Sequence, residues 1–262
     1  MNRADQHKDL IREEFTRQAA AYAANPTVSD PERVARLIRE VAPAADARVL
    51  DIATGPGYVA LGFAAVCHEV VGVDLTEAPL KIADQYRAER ALSNVTFQVG
   101  DAERLSFDDG AFDVVVCRLA LHHVEEPGRV LREMARVCRW SGTVAIEDLV
   151  VSEHPERAAY QNRFERLRDP THTRGLSLSQ LLELMTAAGL DTRNVRTDAV
   201  LQDAERWLDN AHTPADRADD VRAMLERDAA ADLSGVQPFQ RDGHFFFVHR
   251  AATVVARRLR DA

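Results

Sequence analysis

Short apolar strands alternate with amphipathic helices between Arg48 and Leu149, and this alternation limits the possible folds more than any other feature of the sequence. Strands are predicted at Arg48–Ile52, Glu69–Asp74, Val95–Val99, Phe112–Cys117 and Thr143–Leu149, with helices at Tyr58–Val66, Ala78–Ala91 and Gly128–Cys138. Nearly continuous apolar strands joined by helices are typical of a parallel sheet that is covered on both faces. Because such crossovers are right-handed, the sequence predicts an open, doubly wound α/β sheet whose ligand lies beyond the carboxyl ends of the strands.

The segments around this core are predicted to add helices before it and strands after it. Residues 1–45 are expected to form helices, 46–151 the sheet core, 152–235 a helical lid over the substrate with one late core strand, and 236–262 terminal strands. In the last segment, Asp242 and Gly243 indicate a turn between two strand-like runs. The chain is therefore expected to form one large domain with a cap.

Composition and charge argue against several kinds of partner. The 33 Lys and Arg residues are outnumbered by 42 Asp and Glu residues, which gives a net charge of −9. Since affinity for a phosphate backbone depends on basic contacts, we expect no nucleic-acid partner. The apolar runs are far shorter than the roughly 20 residues of a membrane-spanning helix. The 3 cysteines are widely spaced, as is common for buried thiols in a reducing compartment. We therefore expect a cytoplasmic protein without a membrane partner.

A glycine-rich turn follows the first strand and indicates where a ligand approaches the backbone. Gly55 and Gly57 flank a proline at the start of the next helix, and Asp51 lies at the end of the strand. The turn alone also satisfies the loose pattern G-x-G-x-x-A of dinucleotide sites, so a nicotinamide-dependent oxidoreductase stays open. The carboxylate of Asp51, however, would repel a pyrophosphate and favours a ligand that carries an ammonium or sulfonium charge.

Two further acidic residues stand at the ends of the next strands. Asp74 ends the second strand, where a carboxylate accepts hydrogen bonds from the hydroxyls of a ribose. Asp101 follows the third strand, where a carboxylate accepts from an exocyclic amine such as that of adenine. Acids at consecutive strand ends predict a nucleoside site, although each acid taken singly also fits a helix cap or a solvated turn.

Taken together, these motifs resemble the ordered motifs of the class I S-adenosylmethionine-dependent methyltransferases, in particular the small-molecule enzymes of the ubiquinone and menaquinone-biosynthesis type. The resemblance is carried by Val49–Gly57, Val73-Asp74, Gly100–Phe107, Phe112–Val115, Leu121–Val124 and Val130–Glu133. It implies a Rossmann-like, seven-stranded, mostly parallel sheet with an antiparallel strand near the C terminus, and S-adenosylmethionine as cofactor. Ala53 departs from the family's usual first glycine, and Arg139–Gly142 departs from its usual Lys-Pro-Gly-Gly turn.

The resemblance also implies which residues contact the cofactor. Asp51, Gly55 and Gly57 would border the methionine moiety, Asp74 the ribose, and Asp101 and Ala102 the adenine, with Ala53, Leu75 and Arg118 as further cofactor-binding residues. Tyr22 matches an N-terminal aromatic residue that closes over the cofactor in such relatives. A tyrosine at this place also fits simple helix packing.

Methyl transfer from a sulfonium is an in-line displacement, so the protein mainly positions two reactants and excludes water. A base is needed only if the nucleophile arrives protonated. His122 and His123, after the fourth strand, are the candidate catalytic residues because imidazole titrates near neutral pH. Since neighbouring residues point in different directions, we expect at most one to face the site, and a structural role for the pair stays open. No metal site is predicted, because the histidines lack an H-x-x-x-H spacing.

The leading hypothesis is an enzyme that methylates an oxygen, nitrogen or carbon atom of a small molecule. One alternative is an NAD(P)-dependent oxidoreductase, against which Asp51 and the absence of a Tyr-x-x-x-Lys motif argue. A second alternative is a protein that binds S-adenosylmethionine without methylating. The segment Arg168–Arg174 is favoured as a helix-ending loop, although its Arg and His residues also suit an acidic substrate group. The oligomeric state stays open.

Overall fold

The predicted apolar strands form the centre of the structure, which is a computed structural model that describes residues 3–260. The strands are β1 (Arg48–Ile52), β2 (Glu69–Asp74), β3 (Val95–Val99), β4 (Phe112–Arg118), β5 (Cys138–Val151), β6 (Leu176–Ser177), β7 (Leu190–Asp203), β8 (Phe239–Arg241) and β9 (His244–Arg258). The helices are α1 (Arg3–Arg17), α2 (Ala19–Ala24), α3 (Pro26–Ser29), α4 (Pro31–Val41), α5 (Tyr58–Ala64), α6 (Glu77–Glu89), α7 (Pro127–Val137), α8 (Pro155–Arg168), α9 (Leu178–Ala187), α10 (Ala204–Asn210) and α11 (Ala215–Ala231). A short 3₁₀ helix spans Leu121–His123.

Seven strands form the continuous path β3-β2-β1-β4-β5-β9-β7. The neighbours from β3 to β5 pair in parallel, whereas β9 is antiparallel to both β5 and β7. The predicted mostly parallel, seven-stranded sheet with an antiparallel strand near the C terminus is therefore confirmed. The short strand β6, which pairs with the end of β5, was not predicted, whereas β8 and β9 form the hairpin that Asp242 and Gly243 indicated. Among residues 3–260, no helix is long and apolar enough to cross a membrane.

Alternate residues of the strands supply a core on each face of the sheet, as the two-residue period of a strand requires. On one face, Leu50 packs in a cluster with Met134 of α7 and Leu181 of α9. On the other, Val49 packs in a cluster with Phe63 of α5. Helix α9 lies in the segment expected to form the lid. It covers the sheet instead, because its apolar stripe is buried against the strands.

The remaining helices of the lid segment have a small core of their own. Phe164 of α8, Trp207 of α10 and Leu225 of α11 are buried together with Phe247 of β9. The indole of Trp207 contacts the ring of Phe247 edge-on, with the ring centres 5.0 Å apart. These helices form a cap that is attached to the sheet through β9.

Gly72 on β2 leaves room for the ring of Phe97 on the neighbouring strand β3. A Cβ atom at Gly72 would lie 2.6 Å from Cδ1 of Phe97 and 3.0 Å from Cγ2 of Thr54. Overpacking a tight core costs about 1–3 kcal/mol, so we expect Gly72→Ala to lower the free energy of unfolding by that amount in urea titrations. Gly128→Ala is the matched control, because the nearest atom is 3.4 Å away on a flexible guanidinium and alanine favours a helix. Equal destabilisation of both variants would contradict the packing argument.

Candidate functional site

Carboxylates at the ends of β1 and β2 hold the glycine-rich turn in place. Oδ2 of Asp51 accepts hydrogen bonds from the hydroxyl of Thr54 at 2.6 Å and from the backbone N–H of Ala60 at 3.0 Å. Oδ2 of Asp74 accepts from the N–H of Gly55 at 2.9 Å. The acids that the sequence assigns to a ligand therefore also build the loop that approaches it.

A cavity of about 940 Å³, including its open mouth, lies at the carboxyl edge of the sheet, and we call it the strand-end cavity. Its walls include seven predicted cofactor residues, Tyr22, Ala53, Gly55, Asp74, Leu75, Asp101 and Ala102. Helix α1 supplies a further wall through His7, Lys8, Ile11 and Phe15. The ring of Tyr22 lies against the turn, since a Cβ atom at Gly55 would be 3.5 Å from its Cε1. The structure thus brings most of the predicted cofactor residues together.

Lys8 holds α1 in position across the strand-end cavity through ion pairs. Its Nζ lies 2.7 Å from Oδ2 of Asp101 and also pairs with Glu103. Burial alone would lower the pKa of Lys8, but its hydrogen bonds with these two carboxylates outweigh burial and raise it. A neighbouring contact joins Nε2 of His7 to the carbonyl oxygen of His123 at 2.8 Å. Sequence reasoning missed Lys8 because its partner Asp101 is 93 positions away along the chain.

Three predicted cofactor residues lie outside the walls of the strand-end cavity. Asp51 is only 1% exposed, and this burial raises its pKa to about 7. A Cβ atom at Gly57 would lie 2.8 Å from Cβ of Ala83, so this glycine permits α6 to pack closely. Arg118 turns away from the cavity and pairs with Glu147 at 3.0 Å. Asp51 and Arg118 border a small adjoining space instead.

A second cavity of about 780 Å³, including its mouth, adjoins the first, and we call it the cap cavity. The two cavities share the wall residues Phe15, Tyr22, Leu119 and His123. The backbone of Leu119 has φ +54°, a left-handed conformation that is rare for leucine and that tends to occur at functional sites. Further wall residues of the cap cavity come from α4, the 3₁₀ helix, α8 and the residue after it, α10 and β9, and include Arg33, His122, Glu165, Arg168, Asp169, Trp207, His249 and Arg250.

Both predicted catalytic histidines line the cap cavity, and His123 also lines the strand-end cavity. The 3₁₀ helix turns their rings together, with centres 4.2 Å apart. Nδ1 of His122 lies 2.5 Å from Oδ1 of Asp148. Burial alone would lower the pKa of His122, but the charge of Asp148 and this hydrogen bond raise it. Because Nδ1 donates to the carboxylate, Nε2 of His122 is the nitrogen available to accept a proton.

The pKa of His123 is shifted in the opposite direction to that of His122. The hydroxyl of Thr171 donates to Asp169 at 2.6 Å, so it accepts from Nδ1 of His123 at 2.9 Å. Burial, together with the nearby charge of His122, lowers the pKa of His123 to about 4. His123 is therefore a neutral ring on the wall between the two cavities. Within residues 3–260, no group of three His, Cys, Asp or Glu side chains is arranged to hold a metal ion.

Comparison with known proteins shows the family to which this chain belongs. A family model described as a methyltransferase domain matches residues 50–146. The uncharacterized methyltransferase YcgJ of Bacillus subtilis is 33% identical over 80% of this chain and 83% of its own length. The crystal structure of YcgJ superimposes with a TM-score of 0.82 at 30% identity, covering 87% of this chain and 98% of YcgJ. The ubiquinone/menaquinone biosynthesis C-methyltransferase UbiE of Idiomarina loihiensis is 38% identical over 38% of this chain and 41% of its own.

The ion pair with Asp148 predicts how His122 titrates. We expect NMR titration of the ring to give a pKa above the ordinary 6.5, and Asp148→Asn to lower it, because the mutation removes the charge that stabilises the imidazolium. The resonance of His154, an exposed histidine on the surface, is the internal control. An unchanged titration of His122 in Asp148→Asn would contradict the pairing.

Proposed function

This chain belongs to the class I S-adenosylmethionine-dependent methyltransferases, and we propose that its acceptor is a small molecule that binds in the cap cavity and is methylated on oxygen, nitrogen or carbon. The observation that carries the proposal is the wall that the two cavities share, formed by Phe15, Tyr22, Leu119 and His123. A donor in the strand-end cavity and an acceptor in the cap cavity would meet at this wall.

S-adenosylmethionine is the cofactor, and its chemical groups match the residues of the strand-end cavity. When bound, it supplies an electrophilic methyl group on a sulfonium centre. Asp74, at the end of β2, is suited to accept hydrogen bonds from the ribose hydroxyls. Gly55 permits close approach of the backbone. Asp51 contributes indirectly, because it accepts hydrogen bonds from Thr54 and Ala60 and so holds the turn that carries Gly55.

We assign the removal of a proton from the acceptor to Nε2 of His122. Asp148 orients the ring through Nδ1 and makes it more basic, which is the arrangement of a general base with its positioning partner. A base with a raised pKa is protonated at low pH, so the rate should rise as the pH passes through that pKa. His123, held neutral on the shared wall, excludes water and positions the acceptor.

Helices α1 and α2 complete the site by covering both cavities. Lys8 ties α1 to Asp101, and the rings of Phe15 and Tyr22 contact each other edge-on at 5.4 Å. A cover of this kind keeps water from the transferred methyl group. The oxidoreductase alternative is not favoured, because the relatives are named methyltransferases.

Transfer of labelled methyl from S-adenosylmethionine to an acceptor in a metabolite extract tests the proposal. We expect His122→Gln to lower kcat by about 10²–10⁴-fold with little change in KM for the donor, because general-base catalysis contributes that much.

Asp74→Ala should instead raise the donor's KM and weaken its binding in calorimetric titration, because the acceptor of the ribose hydroxyls is lost.

His154→Gln and Glu77→Ala are the matched controls, since both side chains are exposed and line neither cavity. Donor binding without label transfer to any acceptor would contradict the proposed function. Unchanged donor affinity in Asp74→Ala would contradict the ribose role of that carboxylate.

A further inference from the structure

Two arginines share one carboxylate behind the cap cavity. Arg33 on α4 and Arg118 on β4 are 8% and 7% exposed, and both pair with Glu147, which is fully buried. Arg196 on β7 lies 3.7 Å from the same carboxylate. Its other nitrogens pair with Glu40 on α4 and with Asp198 on β7. The cluster holds three guanidinium groups and three carboxylates, so its charges balance, and these contacts fix the positive charge of Arg33 in position.

Arg33 carries that positive charge to the wall of the cap cavity. Its Nε atom is buried and has no hydrogen-bond partner in the described part of the chain. Burial lowers the pKa of Arg33; Glu147 opposes this effect, and the like charge of Arg118 adds to it. An oxyanion in the cavity beside Arg33 would offset the positive charge of its guanidinium.

Two more arginines line the same cavity. Nε of Arg168, at the end of α8, donates to the carbonyl oxygen of Trp207 at 3.1 Å, and its guanidinium lies 4.8 Å from the centre of a ring of that residue. These contacts hold the guanidinium in place. Arg250 on β9 is exposed. Guanidinium groups match the geometry of carboxylates and phosphates, so three of them on one cavity wall indicate an anion site.

The carboxylates on the wall of the cap cavity already have partners of their own. Glu165 lies 2.7 Å from Nε2 of His249. Burial alone would raise the pKa of Glu165, but the nearby charge of His249 outweighs it and lowers the pKa to about 2. Asp169 accepts from the N–H and the hydroxyl of Thr171 at 2.9 and 2.6 Å. The nearby charge of Arg168 also helps to lower the pKa of both acids, which leaves Arg33 and Arg250 as the wall arginines without that role.

We propose that the cap cavity binds an acceptor that carries an oxyanion, a carboxylate or a phosphate ester, next to Arg33, Arg168 and Arg250. The body of this acceptor is flat and apolar, because the rings of Phe15 and Trp207 form other parts of the wall. The inference rests on the proposed function, since it names the chemical class of the molecule that this function methylates.

Calorimetric titration of the protein saturated with S-adenosylhomocysteine tests the anion site with four probes that share one phenyl ring: benzoate, phenyl phosphate, benzyl alcohol and benzylamine. We expect at least one of the two anions to bind about tenfold or more tightly than benzyl alcohol, because hydrogen bonds to charged groups are the strong ones. Benzylamine should bind most weakly. The ratio between benzoate and phenyl phosphate tells which oxyanion the site prefers.

The combined Arg168→Gln and Arg250→Gln variant should lose the preference for anions. Arg163→Gln is the matched control, because Arg163 is an exposed arginine on the same helix as Arg168 and does not line the cavity. Equal binding of anions and benzyl alcohol, or a preference that persists in the double variant, would overturn the inference. Transfer of labelled methyl from S-adenosylmethionine to an acceptor in the metabolite extract, measured separately in each variant, distinguishes this outcome from a failure of the proposed function.

Discussion

The buried carboxylate of Glu147 is the contact on which the arrangement of both cavities depends. It lies on β5 and accepts hydrogen bonds from Arg118, Arg33 and Thr253 at 3.0, 3.2 and 3.2 Å. Arg118 in turn donates to the carbonyl oxygen of Val28 at 2.8 Å, which holds the N-terminal helices over the sheet. Removing one partner of a buried ion pair typically costs about 3–5 kcal/mol, so the position of the cover is coupled to the integrity of the sheet.

The two cavities differ in charge because different elements form their walls. The strand-end cavity presents Asp74 and Asp101 from the carboxyl edge of the sheet, whereas the cap cavity presents Arg33 and Arg168 from helices. A cationic donor and an anionic acceptor would each be attracted to its own cavity. They would come together only at the shared wall, where neutral His123 lies. Electrostatic attraction would thus place each ligand in its own cavity before the methyl group is transferred.

The sequence predicted the sheet and the acids at its edge because both depend on local patterns. The alternation around β1 to β5 determines burial over a few residues, and Asp74 is the last residue of its strand. The position of Lys8 and the direction of Arg118 depend on partners 93 and 29 positions away, which periodicity does not report. The cap cavity was missed for the same reason, since β9 and α8 are brought to the strand ends only by the tertiary fold. The pairing of His122 with Asp148 likewise appears only once β4 and β5 are adjacent.

A crystal structure with S-adenosylhomocysteine bound would test the central claim, which is that a cofactor in the strand-end cavity faces an acceptor in the cap cavity. The account predicts that the sulfur lies at the wall formed by Tyr22, Leu119 and His123, with the ribose hydroxyls on Asp74. It also predicts open space beyond the sulfur that leads to His122. A sulfur directed away from this wall, or the nucleoside bound in the cap cavity, would contradict the account.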